Sequence, residues 1–383
     1  MKIGIDAHNL EGQRTGVGRV LFNLFKQWNY FNLPNLEFIL YFKKEIPDDL
    51  PRGKAGLRLK KPNFKKRILK APFNLQSNAL FRHYSLHNEA TKDKLDILFC
   101  PDYVAPILYK GKTALILHDI IYQAHPELYN WPSFWDRILL KKFSKISAKK
   151  AKIIFTPSEF SRQEVIKYYK INPDKVSTIL LAADDNFKPI NDQEKLNEIK
   201  KKYQIKDKFI LHIGSIFNRR HLPEAIKAFE KLSKKLPNYQ FLIVGVNHTN
   251  PFINIDKLIK NKPIIHINYL QSRDLPLLYN AADLLVYLSD YEGFGLPVLE
   301  SISCGTPVVA KPIASIPEVA GKAAIYIQDN SDINEIEKAI YKGLTNQELR
   351  SNLIEKGLEQ AKKFSWEKCA QKYLDVLMNN GLK

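Results

Sequence analysis

Residues 289–310 read SDYEGFGLPVLESISCGTPVVA. Glu292 and Glu300 stand eight residues apart between apolar runs, and Gly293, Gly295 and Gly305 interrupt the stretch. The run DLLVYLS from Asp283 reads as a strand leading into it. Pro297 to Cys304 reads as a helix closed by Gly305, and PVVA as the next strand. A strand feeding a glycine turn and a helix belongs to a parallel α/β sheet, whose ligands bind at the carboxyl ends of the strands. Gly293 and Gly295 let the backbone turn tightly and approach a ligand. Pro297 suits the first helical turn, where free N–H groups and the helix dipole favour an anion. Glu300, about one turn into the helix, can accept two hydroxyl hydrogen bonds of the kind a ribose diol offers. Glu292 precedes the helix and reaches a different part of the same ligand. A phosphate flanked by two hydroxyl-bearing rings fits this spacing, which is the outline of a nucleotide sugar. Taken singly, each glutamate reads as readily as an ordinary residue of a helix start, and the glycines as turn formers.

The same alternation runs outward in both directions. Before the motif, FILHIGS from Phe209 and YQFLIVG from Tyr239 are strands separated by the helical HLPEAIKAFEKLSKKL, and PIIHINYL from Pro263 is another strand. After it, AAIYIQ from Ala323 is a last strand and the remainder is helical and polar. Nearer the start, Lys2–Ala7, Leu36–Phe42, Ile97–Cys100, Ala114–Leu117, Ile153–Phe155 and Val176–Leu181 are short strands with helical patterns between them. Ser158 caps the helix SEFSRQEVIKYY. The polar stretch from Asp184, DDNFKPINDQEK, reads as a linker. A chain of 383 residues is too long for one ordinary core. Two parallel α/β domains joined by one linker follow, with a cleft between them as the natural active site.

Composition excludes several classes. Cys100, Cys304 and Cys369 are too scattered for a zinc site or a disulfide framework and suit a reducing compartment. No apolar run approaches the ~18 residues of a membrane span, and MKIGIDAHNL lacks the apolar core of a signal peptide. A cytoplasmic protein is expected. The net charge of +19 is concentrated in two segments, RGKAGLRLKKPNFKKRILK (52–70) and RILLKKFSKISAKKAK (137–152). Nucleic acid, an anionic membrane face and a merely solvated surface each account for such charge. No zinc knuckle, RNP motif or helix-turn-helix supports nucleic acid. In the first segment Lys60, Lys61, Lys65, Lys66, Arg67 and Lys70 interleave with Leu57, Leu59, Phe64, Ile68 and Leu69, a pattern suited to an anionic bilayer surface. Pro62 and Pro72 argue for a loop with a short helix there.

At EGFGLPVLE (292–300) followed by GTPVV (305–309) the chain resembles the retaining glycosyltransferases of the GT-B fold, the "group 1" family (family 4). The resemblance implies two Rossmann-like parallel-sheet domains facing across a cleft. It places an acceptor-binding domain over 1–185, a nucleotide-sugar-binding domain over 186–365, and a C-terminal helix over 366–383 that packs back on the first domain. It also implies that Glu292 contacts the donor sugar and Glu300 the ribose, with the N–H groups of Phe294, Gly295 and Leu296 near sugar and diphosphate and Gly293 in the same turn. IGSIFNRRHLPEAIKAF, from Ile213, resembles the segment that sets a basic pair against the diphosphate. Here the pair is Arg219 and Arg220, and Arg220 stands where lysine is more usual. A guanidinium can serve, since it grips phosphate oxygens in a bidentate fork. Ser215 stands where some members carry a further arginine. TGVGR (15–19) resembles the family's glycine-rich loop near diphosphate and acceptor, which marks Gly16 and Gly18. As a dinucleotide fingerprint it fails, since Leu21 occupies the third glycine's place. HDIIYQAHPELY resembles the segment whose histidine lines the reaction centre, so His118 is the candidate and Asp119 orients its loop. Ala182 and Ala183 replace an asparagine and glycine common in the family.

Glycosyl transfer builds negative charge on the leaving diphosphate. The chain has no Asp-x-Asp to hold a metal there, so Arg219, Arg220 and the helix start after Gly295 are expected to stabilise it without a metal or other cofactor. The expected activity is retaining hexosyl transfer from a nucleotide-diphospho-sugar to a glycan or lipid-linked acceptor in cell-envelope, capsular or lipopolysaccharide synthesis. By resemblance the RRH segment favours mannose. A nucleotide-sugar epimerase of the same fold and a basic nucleic-acid-binding α/β protein are the alternatives. The expected location is cytoplasmic, peripheral at the inner face of the cell membrane.

Overall fold

The computed structural model describes residues 1–12, 14, 16–48, 64–69, 77–131 and 133–381. The chain divides into two compact units. The first takes in the chain up to Pro126, Trp131–Leu181 and the segment from Ser365 onward, and the second takes in Glu127–Asn130 and Ala182–Phe364.

In the first unit, β1 (Lys2–Asp6) leads to α1 (Gly16–Trp28) and β2 (Glu37–Phe42). Then follow β3 (Phe64–Ile68), β4 (Ile97–Cys100), β5 (Thr113–Ile116), α2 (Phe134–Lys150), β6 (Ile153–Thr156), α3 (Glu159–Tyr169) and β7 (Val176–Thr178). Every pairing is parallel, in the order β3-β2-β1-β4-β5-β6-β7. The order reverses direction between β1 and β4, the point where such sheets open a crevice at their carboxyl edge. The strands are nearly all apolar because helices cover both faces. Ser158 caps α3 by accepting from the Ser161 N–H at 3.1 Å, as the sequence predicts.

Two local expectations need correction. The glycines of TGVGR lie inside a helix, since α1 begins at Gly16. Residues 64–68 form the edge strand β3 and no short helix; the remainder of the 52–70 segment lies outside the described residues. Phe64 turns inward and stacks on Phe38 at 4.8 Å. Lys65 pairs with Glu37 at 2.7 Å and Arg67 with Asp93 at 2.8 Å. Charged side chains on an exposed edge oppose strand addition by another chain.

In the second unit, the linker-like stretch folds in part as α4 (Gln193–Lys202), capped by Asp192. Then come β8 (Lys208–Ile213), α5 (Leu222–Lys235), β9 (Tyr239–Val244), β10 (Ile264–Ile267), α6 (Leu275–Ala281) and β11 (Leu284–Tyr287). They are followed by α7 (Leu296–Ser303), β12 (Val308–Ala310), β13 (Ala324–Tyr326), α8 (Ile333–Thr345) and α9 (Gln347–Ala361). The parallel sheet runs β10-β9-β8-β11-β12-β13 and reverses between β8 and β11. One apolar core joins the inner faces of α5 and α8 to this sheet through Phe229, Phe241, Val286 and Ile340. The last helix, α10 (Trp366–Gly381), belongs to the first unit, where the Trp28 indole donates to the Ala370 carbonyl at 3.0 Å. Among the described residues no helix is long and apolar enough to cross a membrane.

Candidate active site

The opening motif lies at the reversal point of the second sheet. Past β11 the chain runs through Ser289 and Asp290 to Glu292, turns at Gly295 with φ +99°, and enters α7 with Pro297 in its first turn. Ser315 clamps the turn, its hydroxyl donating to the carbonyls of Glu292 and Phe294 at 2.8 Å each. Past β8 the chain makes a short helical turn, Asn218–Arg220. The backbone N–H of Asp290 donates to the Arg219 carbonyl at 2.9 Å and so ties the two loops together.

Arg220 is buried between them. Its Nε and Nη2 donate to Glu292 Oε1 at 3.1 and 3.0 Å, its Nη2 to the Tyr287 hydroxyl at 3.1 Å, and its Nη1 to the Ser215 carbonyl at 2.8 Å. Burial pushes the Glu292 carboxyl up, but Arg220 and Arg219 outweigh that and hold it below the usual carboxylate range. For Arg220 burial opposes the charge and Glu292 more than restores it. Both groups are therefore ionised. Arg219 lies with its guanidinium 4.2 Å over the Phe217 ring, and its buried Nε has no partner. Glu300, on the buried face of α7, accepts from the Tyr279 hydroxyl at 3.0 Å. Phe294 is buried against Phe364. The sequence therefore predicts one compact set in this unit: Ser215, Arg219, Arg220, Glu292, Gly293, Phe294, Gly295, Leu296 and Glu300 all lie on the two loops or on α7.

Gly16, Gly18 and His118 lie in the first unit. Gly18 packs so tightly that a Cβ there would sit 2.3 Å from the Asn9 carbonyl, whereas Gly16 has open space. His118 follows β5; burial is the main cause that lowers its ring to about 4, so it is neutral near pH 7. Its shielded Nε2 has no hydrogen-bond partner.

The sequence reading missed a second network beneath the motif. Asp290 accepts from His221 at 2.5 Å, Lys311 at 3.0 Å and Asn330 at 2.9 Å. Burial raises its carboxyl, and the His221 and Lys311 bonds bring it below the ordinary value. An acid two residues before Glu292 was the available signal. Among the described residues no group of three or more His, Cys, Asp or Glu side chains is placed to hold a metal ion.

Residues 195–360, which include this whole arrangement, match the family described as glycosyl transferases group 1. The chain is 29% identical to O-antigen chain mannosyltransferase B of Escherichia coli, over 98% of this chain and 99% of that one. Residues 195–360 therefore form a group 1 glycosyltransferase domain. Serotype-specific mannosyltransferase WbdA of Escherichia coli is 30% identical over 69% of this chain, which spans about a third (33%) of WbdA's length. The glycosyltransferase has the GT-B fold. It superimposes on WaaG, a glycosyltransferase involved in lipopolysaccharide biosynthesis, with a TM-score of 0.72, 16% identity and coverage of 98% of this chain and 99% of the other. Anabaena HepE in complex with UDP-glucose aligns with a TM-score of 0.72 and 14% identity over 99% of this chain and 100% of the other.

Proposed function

We propose that the protein is a retaining mannosyltransferase. It moves mannose from a nucleotide-diphospho-sugar to a glycan or lipid-linked acceptor in cell-envelope polysaccharide synthesis. The observation that carries this reading is the buried, ionised Arg220 held by Glu292, Tyr287 and the Ser215 carbonyl where the second sheet reverses. A fixed cation at that point, beside the positive end of the α7 dipole, meets the charge that develops on a leaving diphosphate. Mannose is supported by the full-length likeness to O-antigen chain mannosyltransferase B. In the proposed reaction the bond from the anomeric carbon to the phosphate oxygen breaks, and the acceptor oxygen bonds to the same face. The hydroxyl proton passes to the departing phosphate. Arg219 and Arg220 stand in for a metal, so activity persists in a chelator; a strict need for manganese or magnesium would refute that part.

A donor screen tests the reading. GDP-mannose, UDP-glucose, UDP-galactose, UDP-N-acetylglucosamine and dTDP-rhamnose are scored by thermal stabilisation and by hydrolysis. A donor present at about 100 times its dissociation constant adds about 2.7 kcal/mol of stability. GDP-mannose is expected to stabilise most. Preference for a UDP sugar overturns mannose, no response to any donor overturns the transferase reading, and epimerised donor without acceptor points to an epimerase.

The proposal also places the enzyme at the cytoplasmic face of an anionic membrane. The described cations of the 52–70 segment support this less than the sequence suggests, since Lys65 and Arg67 are paired with acids. Support comes from α2. Phe134, Trp135, Ile138 and Leu139 are exposed on its first turns, with Arg137, Lys141, Lys142 and Lys145 beside them. Apolar side chains flanked by cations suit entry below anionic headgroups.

A further inference from the structure

The reversal point of the first sheet holds a second group of buried polar side chains. Asp6 ends β1 and is fully buried, His8 follows two residues later, and Asp102 lies just past β4. Arg82 reaches them from Phe81–Leu86, a stretch wound as a π-helix, a form frequent at functional sites. His8 Nδ1 lies 2.6 Å from Asp6 Oδ1, and the His8 backbone N–H also donates to that oxygen. Arg82 Nη2 donates to Asp102 at 2.7 Å, while its Nε stands 3.8 Å from Asp6 Oδ2.

The hydrogen bonding of this group is incomplete. Asp6 Oδ2, Arg82 Nε, Asn9 Nδ2 and His118 Nε2 are buried without partners. His8 Nε2 also has no partner among the described residues. Buried polar atoms are normally satisfied, and each exception asks for a missing partner. An ionised Asp6 takes the Nδ1 proton of His8 as its hydrogen bond, the logic of a histidine–carboxylate dyad, and turns Nε2 outward. Burial opposes the charge on the ring, and Asp6 outweighs it and holds His8 above the usual imidazole range, so Nε2 accepts in the neutral ring and donates in the protonated one. Asp6 is held below the ordinary carboxylate range: burial raises it, and His8 and Arg82 more than offset that. One face of His8 lies against Phe81, at 5.5 Å and 56° between ring planes. Gly18 presses α1 onto the Asn9 carbonyl and holds the loop that carries His8.

We propose that His8, aligned by Asp6, binds the acceptor in the first unit. Its Nε2 hydrogen-bonds an acceptor hydroxyl, and Arg82 with Asp102 engages a neighbouring hydroxyl of the same pyranose ring. The ligand class is a glycoside with a vicinal diol. This rests on the glycosyltransferase reading and assigns residues that its motif does not. Asp6 is a positioning residue, acting through His8. The proton of the attacking hydroxyl still leaves with the phosphate, so His8 orients the nucleophile.

The test separates acceptor from donor. Transfer from GDP-mannose to dodecyl α-mannoside is measured beside acceptor-independent hydrolysis of GDP-mannose. His8→Asn keeps a donor toward Asp6 and removes the outer nitrogen. Acceptor kcat/KM is expected to fall by about tenfold or more, with hydrolysis and Tm unchanged. His8→Gln, whose amide reaches the place of Nε2, is expected to recover part of the loss, and Asp6→Asn to move acceptor kinetics in the same direction as His8→Asn. Wild-type acceptor kinetics in His8→Asn, or equal losses in transfer, hydrolysis and Tm, overturn the proposal. Saturation-transfer NMR with the methyl glycosides of mannose, galactose, N-acetylglucosamine and rhamnose needs no donor, and so stands even where the donor reading fails. Signal to at least one glycoside that weakens in His8→Asn supports the subsite. No signal in the wild type, or an unchanged signal in the variant, leaves only a bridging water between Asp6 and Arg82 and overturns it.

Discussion

Arg220 and Glu292 form one buried ion pair on which both stability and the proposed chemistry rest. Both are ionised and mostly buried, so neither tolerates loss of the other. Arg220→Ala leaves Glu292 without its cation and is expected to cost roughly 3–5 kcal/mol, read as a lower urea midpoint, together with most donor affinity. Glu292→Gln keeps shape and volume. Its turnover is expected to fall by more than about tenfold while nucleotide binding, followed by calorimetry, survives; wild-type turnover would remove Glu292 from the reaction. His212 on β8 gives a prediction in pH. It is fully buried and neither ring nitrogen has a partner. Burial first, and Arg220 second, lower it from 6.5 to about 3. As the pH falls through 6.5 the unfolded chain gains a proton that the folded chain refuses until about 3. Stability is therefore lost with acid across that window, on the order of 5 kcal/mol from this residue, and the loss levels off below it. In His212→Leu the slope of urea midpoint against pH between 6.5 and 4 should become shallower; an unchanged slope would show that His212 does not drive it.

Single elements carry the next set of consequences. The turn into α7 needs a left-handed residue at Gly295, and a Cβ there would sit 2.8 Å from Ile316 Cδ1. Gly295→Ala is expected to destabilise the second unit by about 1–3 kcal/mol. Gly16, which opens α1 with no atom near its missing Cβ, is the contrast. Gly16→Ala should leave Tm unchanged or raise it slightly, since alanine narrows the unfolded ensemble and suits a helix. Much of this was legible beforehand, because Gly, Pro and cap residues act within a few positions of themselves. The start of α1 was misread since two glycines mimic a loop. For α2 the expected behaviour is salt-reversible flotation with phosphatidylglycerol vesicles, each well-placed cation contributing about 1 kcal/mol. Phe134→Ser combined with Trp135→Ser should abolish it. Equal recovery with phosphatidylcholine, or unaltered flotation of the double variant, would leave the charge as simple solvation.

At the scale of the whole molecule, the last helix completes a core that begins at residue 1. Tyr373 on α10 is fully buried, 4.5 Å from Phe155 and 6.0 Å from Phe99 between ring centroids. Tyr373→Ala is expected to cost about 3–5 kcal/mol, comparable to other large aromatic truncations. The loss should fall on the first unit alone. Denaturation followed by hydrogen exchange should show β4 and β6 opening more readily while β8 and β11 keep their protection. Parallel losses in both sheets would contradict the assignment of α10 to one unit.

The sequence by itself determined the alternation of strands and helices, the parallel sheets and the glycine turn into a helix at residues 293–297, because each depends on periodicity and turn chemistry within a few residues. Tertiary structure alone decided which side chains meet. β3 hid its strand character because its cations are balanced by Glu37 and Asp93, and only the fold brings these beside it. Arg220 and Glu292 are 72 residues apart in sequence, and both were read as ligands of a donor without any sign that they hold each other. Asp6 and Arg82 were not singled out at all. In both units the strand order reverses, at β1 and β4 and again at β8 and β11. That reversal sets strand ends from distant parts of the chain side by side, and no local pattern of residues records it.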